Sequence, residues 1–513
     1  AYGIYYFGYG INAIGIGSMV STYYINMSIL MAYAATFPQM QIMMILFVFP
    51  IPMKVKYLGI LYAFILAMEA VSTGLVGKII IIASLLNFIV FFLVSKNKKY
   101  TSPKVTYARK VQQAEVKKML DNPDKTDLIE AFYKDLEFGT GGLRGIIGGG
   151  TNRMNTWMIN RATQGLANYF IKTFPEKAAK GELSAVIAYD SRRFSDVFAE
   201  ATALIFAANG FKTYLFTSLR PTPELSFAIR TLGCDTGVVV TASHNPPQYN
   251  GYKAYWNDGA QVIEPHDTGI IDQVNSVDTV KTISKEDALA SGKLIMIDKE
   301  VDEKYWEMCK AQLFRPDVIK EKASEAKIVY TPLHGTGAMH VEKVLSDLGL
   351  TVITVPEQRI PDGNFPTVEK PNPEEAPALK MAVELAEKEK ADVVMATDPD
   401  ADRFGIAVPD ANGKYVLISG NQMGALLTDY IIVSRKELGK MPANPGMIRS
   451  IVTAPFADKI CAANGVKLVE CLTGFKWIAN EMAKFENTNC NNYIFGFEES
   501  YGYNVETDVR DKD

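Results

Sequence analysis

The chain has 513 residues, room for several domains at about 100–200 residues each. Its 53 Lys+Arg against 57 Asp+Glu leave a net charge of -4, and no basic block is long enough to suggest a nucleic-acid footprint, so nucleic acid is not expected as a partner. The five cysteines (Cys234, Cys309, Cys461, Cys471, Cys490) form no CxxC pair, which argues against a zinc site and for free thiols in a reducing compartment.

The average charge hides a sharp shift along the chain. Ala1 to Met53 contains no Asp, Glu, Lys or Arg, and up to Ser95 the only charged residues are Lys54, Lys56, Glu69 and Lys78. Apolar runs near 2–20, 28–50, 57–75 and 79–95 are long enough to cross a bilayer, so residues 1–100 are predicted to be about four transmembrane helices, an all-α segment. A signal peptide, one short apolar region behind basic residues, does not fit. Lys54 and Lys56 and the cluster Lys96, Lys98, Lys99 and Lys104 flank one pair of spans on the same side. The positive-inside tendency makes that side cytoplasmic. The expectation is a cytoplasmic catalytic part tethered to the cell membrane by the amino-terminal segment. A very apolar globular core and a fusion of two unrelated sequences are the competing readings. The stretch ATFPQMQIMMILFVFPIPMKVKYLGILYAF loosely resembles rhomboid-like bacterial membrane proteins. Rhomboid proteases need a Ser–His pair, and no histidine precedes His244, so protease chemistry is not carried over.

From about residue 160 strand and helix patterns alternate. Strands are predicted at 184–190, 212–216 and 236–243, with a helix over 196–210 that Gly210 ends. The pattern returns as a strand at 326–332, a helix at 337–349, a strand at 350–356, a helix at 377–391 and a strand at 392–398. It returns again at 446–454, 456–465, 466–472 and 475–485. Runs of β-branched residues between amphipathic helices indicate parallel α/β units, whose buried strands need no polar alternation. Three successive α/β domains are predicted at 101–312, 313–440 and 441–513, with Pro442 and Pro445 suiting a linker. Ligands in open α/β sheets sit beyond the carboxyl ends of strands, which directs attention to the loops after Val240, Ala396 and Phe495.

The first loop, Thr241-Ala242-Ser243-His244-Asn245-Pro246, sets a serine at a strand end, where it can carry a phosphoryl group as a covalent relay. His244 and Lys253 are nearby donors, though a lone serine here is more often a turn or cap. The second loop, Asp398-Pro399-Asp400-Ala401-Asp402-Arg403, sets carboxylates at alternate positions. Like charges so close repel unless a cation sits among them, and hard oxygen ligands suit Mg²⁺. An EF-hand wants Gly and Glu at its sixth and twelfth places, where this chain has Arg403 and Pro409. Aspartyl-phosphate phosphatases commonly carry Thr or Val where Asp402 stands. In the third loop, Gly496-Phe497-Glu498-Glu499-Ser500-Tyr501-Gly502, Glu498 and Ser500 can meet sugar hydroxyls. Thr473, Gly474 and Lys476 lie at the preceding strand end, and Phe138 to Gly145 forms a Gly-rich run able to place Arg144 on a phosphate.

Together TASHNP, DPDADR, GFEES and FGTGGLRG, in domain-sized spacing, resemble the α-D-phosphohexomutase superfamily over about residues 108–513, in its phosphoglucomutase branch with phosphopentomutase-like members. Supporting stretches are FYKDLEFGTGGLRG, RRFSDVFAEATA, PTPELSFAI, ASHNPPQYNGYKAYWNDGAQVIEPHD and PEQRIPDGNFPTVEKPNPEE. The resemblance implies interconversion of hexose 1-phosphate and hexose 6-phosphate through a phosphoserine, with a sugar 1,6-bisphosphate as intermediate and activator. It implies Ser243 as that serine, and Asp398, Asp400 and Asp402 as holders of Mg²⁺ with it. Arg403 and Arg144 would bind the transferring phosphoryl group, and Lys253 would transfer a proton. Glu498 and Ser500 would grip sugar hydroxyls, Thr473, Gly474 and Lys476 would set sugar orientation, and Lys512 would bind substrate. The family also has a fourth domain that clamps the remote phosphate. This chain stops at Asp513, inside the third, so impaired turnover is expected of it. Phosphopentomutase and phosphomannomutase activities stay open, as does a non-catalytic, membrane-tethered sugar-phosphate binder.

Overall fold

In the computed structural model, residues 41–46, 49–54, 65, 68, 72, 74, 103–139 and 141–513 are described. The chain divides into two units, 1–102 and 103–513. In the first, β1 (Gln41–Leu46) and β2 (Phe49–Lys54) form an antiparallel hairpin with Gln41 opposite Lys54. This corrects the all-α expectation for that stretch. Pro50 and Pro52 oppose Ile45 and Met43 in the hairpin; a proline inside a helix clashes with the preceding turn, whereas an edge strand tolerates it. No helix among the described residues is long and apolar enough to cross a membrane. The candidate spans near 2–20 and 79–95, and most of those near 28–50 and 57–75, lie outside the described residues.

The second unit carries three sheets. Six strands form the first: β3 (Gly142–Ile146), β4 (Ser184–Tyr189), β5 (Lys212–Phe216), β6 (Thr236–Val240), β7 (Tyr249–Tyr255) and β8 (Leu294–Ile297), in the order β3-β7-β6-β4-β5-β8. From β6 to β8 neighbours run parallel, while β3 and β7 are antiparallel additions. The second sheet joins β9 (Lys327–Thr331), β10 (Thr351–Thr354), β11 (Val393–Thr397), β12 (Phe404–Pro409) and β13 (Tyr415–Ile418) in the order β10-β9-β11-β12-β13. The third joins β14 (Pro445–Ser450), β15 (Lys467–Cys471), β16 (Asn492–Phe497) and β17 (Tyr503–Asn504) in the order β15-β14-β16-β17. Each sheet thus has a parallel part that reaches one edge and an antiparallel margin at the other, so the parallel α/β units expected from the sequence account for part of each sheet.

Most parallel strands are where the sequence placed them because they are apolar, often β-branched runs, Thr236–Val240 being buried at every position; Leu294–Ile297 and Asn492–Phe497 are further parallel strands that it did not delimit. Helices cover both faces, as such buried sheets require. Helix Ser195–Ala208 and helix Thr156–Thr173 pack Phe198, Phe206, Leu166 and Phe170 into the first core with Ile187 and Val238. Helix Ala376–Glu389 buries Leu379, Ala382 and Ala386 against Val329 and Val394. Helix Phe475–Thr488 sets Ile478, Met482 and Phe485 on Ile448. The last residues cross back to the first sheet. Val509 joins the core formed by Val186, Leu225 and Tyr255, the amide of Arg510 donates to Ser226 Oγ (2.8 Å), and Tyr255 Oη donates to Asp511 (2.6 Å).

Candidate functional site

The three loops after β6, β11 and β16 converge on one cavity of about 390 Å³, lined among others by Arg144, Ser243, His244, Lys253, Asp402, Arg403, Thr473, Gly474, Lys476, Glu498, Ser500 and Lys512. All the residues singled out from the sequence line it except Asp398 and Asp400, which are fully buried beside it.

Ser243 follows the end of β6 with φ 50°, a left-handed conformation that is sterically costly for a residue with a Cβ. Its amide donates to Thr241 Oγ1 (2.8 Å), and Thr241 in turn donates to Asp190 (2.6 Å). So bent, the loop aims the hydroxyl at the second domain, where Ser243 Oγ donates to Asp398 Oδ2 at 2.6 Å across 155 residues of sequence. His244 Nδ1 lies 3.1 Å from the same hydroxyl. Burial, then the cations Arg403 and Arg144, push the imidazole down to about 3 against the pull of Asp402 and Asp400, so it is neutral at ordinary pH.

The acidic loop is turned tightly enough that Asp398 accepts the amides of Asp402 and Arg403, both at 3.1 Å, with Ala401 at φ 50°. One oxygen from each of Asp398, Asp400 and Asp402 lies within 4.8 Å of the others, and all three residues are buried. Burial and its two neighbours hold Asp398 well above the carboxylate range. Burial and Asp402 act the same way on Asp400, but Lys253 and Thr222 outweigh them and hold it low. Asp402 is depressed too, because burial is overcome by Lys253, Lys512 and Arg403. Lys253 Nζ donates to Asp400 (2.9 Å) and Asp402 (3.2 Å). These carboxylates and Asp511 raise it, although burial opposes the charge. Two carboxylate oxygens, Asp400 Oδ1 and Asp402 Oδ1, are buried with no hydrogen-bond partner. Unpartnered buried anionic oxygens are costly, and a divalent cation of the Mg²⁺ type satisfies them with the hard oxygen ligands it prefers. The residues present fit such an ion.

Across the cavity, Glu498 accepts the amide of Gly474 (2.8 Å). Lys512 Nζ stands 3.6 Å from Glu498 and 3.9 Å from Asp402, and these two charges raise it against burial. Ser500, Thr473 and Lys476 face the same space. Arg144, on β3, donates to Asn245 (3.3 Å), and Arg403 is clamped by Glu374. The cavity therefore offers a hydroxyl beside a carboxylate trio at one end and cations with hydroxyl partners at the other.

Several contributors went unnamed in the sequence, although most sit inside the stretches quoted. Thr222 donates its amide (2.9 Å) and hydroxyl (2.8 Å) to Asp400, tying the first domain to the acidic loop. Glu374 holds Arg403, and Gln261 lines the cavity and donates to Asp511 (2.9 Å). Arg192, wholly buried, binds the carbonyls behind Ser243. A single sequence marks such residues only as polar positions in otherwise unexceptional turns.

Three family profiles match in succession: phosphoglucomutase/phosphomannomutase alpha/beta/alpha domain I over 135–281, domain II over 303–413 and domain III over 419–513. The chain is 38% identical over 404 residues to a probable phosphoribomutase of Schizosaccharomyces pombe, covering 78% of this chain and 68% of that protein. It is 36% identical to the human phosphopentomutase (78% and 66% covered) and 36% identical to a phosphoglucomutase of Staphylococcus aureus (80% and 72%). The chain thus spans about two thirds of the length of these relatives. Among solved structures, a putative phosphomannomutase from Thermus thermophilus superposes with a TM-score of 0.60 at 24% identity, covering 74% of this chain and 77% of that one, a likeness of fold.

Proposed function

The chain belongs to the phosphoglucomutase/phosphomannomutase family, and from that membership we propose that it moves a phosphoryl group between two hydroxyls of one sugar phosphate, by way of Ser243. The observation that carries this reading is the contact between Ser243 Oγ and Asp398 at 2.6 Å, two groups on loops that follow strands of separate sheets. Phosphoryl transfer needs positioning and charge neutralisation more than covalent help. Asp398, Asp400 and Asp402, with the Ser243 oxygen, would hold Mg²⁺, which would supply that neutralisation.

The serine phosphate passes to the free hydroxyl of a sugar monophosphate. A P–O bond to the sugar forms as the one to Ser243 breaks; the sugar hydroxyl gives up one proton and the departing serine oxygen takes one up. The resulting sugar bisphosphate returns its other phosphate to Ser243, leaving the isomeric monophosphate. Lys253 and Arg403 face the transferring group, and Arg144 approaches it from β3. Lys253, which Asp400 and Asp402 hold charged, is also the proton carrier of this reading: it gives a proton to the departing serine oxygen and takes back the one the sugar hydroxyl loses. His244, neutral and beside the hydroxyl, orients it. Glu498 and Ser500 take sugar hydroxyls, with Thr473, Gly474, Lys476 and Lys512 setting orientation and meeting the second phosphate.

Hexose 1- and 6-phosphates, with a hexose 1,6-bisphosphate as activator, are the substrates of this reading. Pentose 1- and 5-phosphates are the second, favoured by the names of the phosphoribomutase and phosphopentomutase relatives. Intact mass after incubation with glucose 1,6-bisphosphate and Mg²⁺ tests the core of it: one phosphate is expected on wild type and none on Ser243→Ala. An unmodified wild-type protein overturns it. A panel of hexose and pentose phosphates, read as kcat/KM, then separates the two substrates.

A further inference from the structure

Arg192 is buried behind the phosphoserine loop, at 3% exposure, and does not line the cavity. Its guanidinium serves the loop as a fork. One terminal nitrogen donates to the carbonyls of Pro246 (2.9 Å) and Tyr249 (3.0 Å), and the other to the carbonyls of Ser243 and Asn245. Nε lies 3.5 Å from Asp190 as an ion pair without a hydrogen bond, and Asp190 accepts from the Arg192 amide (2.9 Å), Thr241 and Ser195. The far face of the guanidinium stacks on Phe365, 4.9 Å from its centroid, and Phe365 belongs to the second domain. There the backbones close in: Arg192 bridges Gly363, where an added Cβ would lie 2.5 Å from the amide nitrogen of Arg193.

Resting on the functional reading above, we propose that Arg192 is the positioning residue of the transfer step. It holds the left-handed turn at Ser243 by its carbonyls and fixes that turn to the second domain through Phe365, so that the serine oxygen meets Asp398. Planarity is essential, because a fork reaches several carbonyls at fixed angles where an ammonium is a single point charge. The loop carbonyls it binds include that of the strained residue itself, so the strain at Ser243 is held by this side chain.

The test compares full-length wild type, Arg192→Lys and Phe365→Leu by two readouts. One is the rate of phosphate uptake by Ser243 from glucose 1,6-bisphosphate, followed by intact mass over a range of bisphosphate concentrations. The other is amide hydrogen exchange over residues 241–250. Arg192→Lys is expected to lose protection in 241–250 while the strands keep theirs. Its uptake is expected to slow on the order of 10²-fold, the effect of a misplacement of about an ångström, with an unchanged half-saturating concentration. Phe365→Leu keeps loop protection but slows uptake, since it loosens the contact of the guanidinium with the second domain and leaves its bonds to the loop carbonyls in place. Wild-type uptake rates and loop protection in both variants overturn the proposal. So does a loss confined to half-saturation, which would place Arg192 in ligand binding. If wild type takes up no phosphate while Arg192→Lys still loses loop protection, the functional reading fails and the clamp stands. If Arg192→Lys does not fold, Phe365→Leu decides by its uptake alone.

Discussion

His244 lies against Ser243 but is held neutral, and its direction of shift has a measurable consequence. Its folded pKa, about 3, is below the unfolded value. Above pH of about 6.5 both states are neutral and the residue contributes nothing to pH dependence. Below that, the unfolded chain takes up a proton that the folded chain refuses, so stability falls as pH drops toward the folded value. His244→Gln is therefore expected to reduce the loss of urea stability between pH 7 and pH 5, and the imidazole of His244 is expected to stay neutral by NMR across that range. The acidic trio makes the complementary prediction. Mg²⁺ at about 100 times its Kd stabilises a protein that binds it only when folded by about 2.7 kcal/mol. Thermal melts are expected to rise with Mg²⁺ in wild type and to be indifferent to it in Asp400→Asn, which removes an oxygen now without a partner. These residue identities were legible because acidic residues at alternate positions after a buried strand have few structural uses. Thr222 and Glu374 were not, since their meaning arises only from partners 178 and 29 residues away.

Among elements, the helix Gly420–Glu437 shows how a loop is placed by its neighbour. Ser419 caps it and Gln422 returns a bond to the Ser419 amide, a reciprocal pair that satisfies two otherwise unpaired amides. Ser419→Ala is expected to cost about 1 kcal/mol in urea unfolding. Gly420 behind it has no room for a side chain: a Cβ would fall 1.9 Å from the carbonyl of Glu499. Gly420→Ala therefore forces the 498–502 loop away from the cavity, which would be read as weakened sugar-phosphate binding in calorimetry. Most of the parallel strands and their helices could be read from the sequence as apolar runs and amphipathic periods, though Leu294–Ile297 and Asn492–Phe497 were not delimited. The antiparallel strands could not. Tyr249–Tyr255 carries Asn250, Gly251 and Lys253, and Gly142–Ile146 reads as a Gly-rich loop, yet the two pair with Gly142 opposite Lys253. Their polar residues serve the site, which masks the pattern that a strand otherwise shows. The hairpin 41–54 failed for the opposite reason: its apolar content outweighed two prolines that oppose a helix.

At the scale of the molecule, three sheets contribute to one small cavity, and the bonds between them are few and specific. Thr222, at the start of the helix Thr222–Leu232, and Lys253, on the first sheet, reach Asp400, and Lys512, beyond the third sheet's last strand, approaches Asp402. Asp511 is the anchor of that last contact, taking bonds from Tyr255 and Gln261. Asp511→Ala is expected to let the 509–513 segment leave the first sheet. Sugar-phosphate affinity would fall as Lys512 departs, while far-UV circular dichroism would not change. Unchanged affinity would show that Lys512 is placed by other means.

The bond between Tyr255 and Asp511 spans 256 positions of sequence. Its earlier partner leaves the ribosome long before the later one exists. Until then the newborn first sheet presents a phenol with nothing to receive its proton, and the acidic trio has one lysine where it will have two. A nascent chain halted short of the 509–513 stretch would thus carry the strands of the first sheet without the anchor at Asp511 and without Lys512 beside the trio.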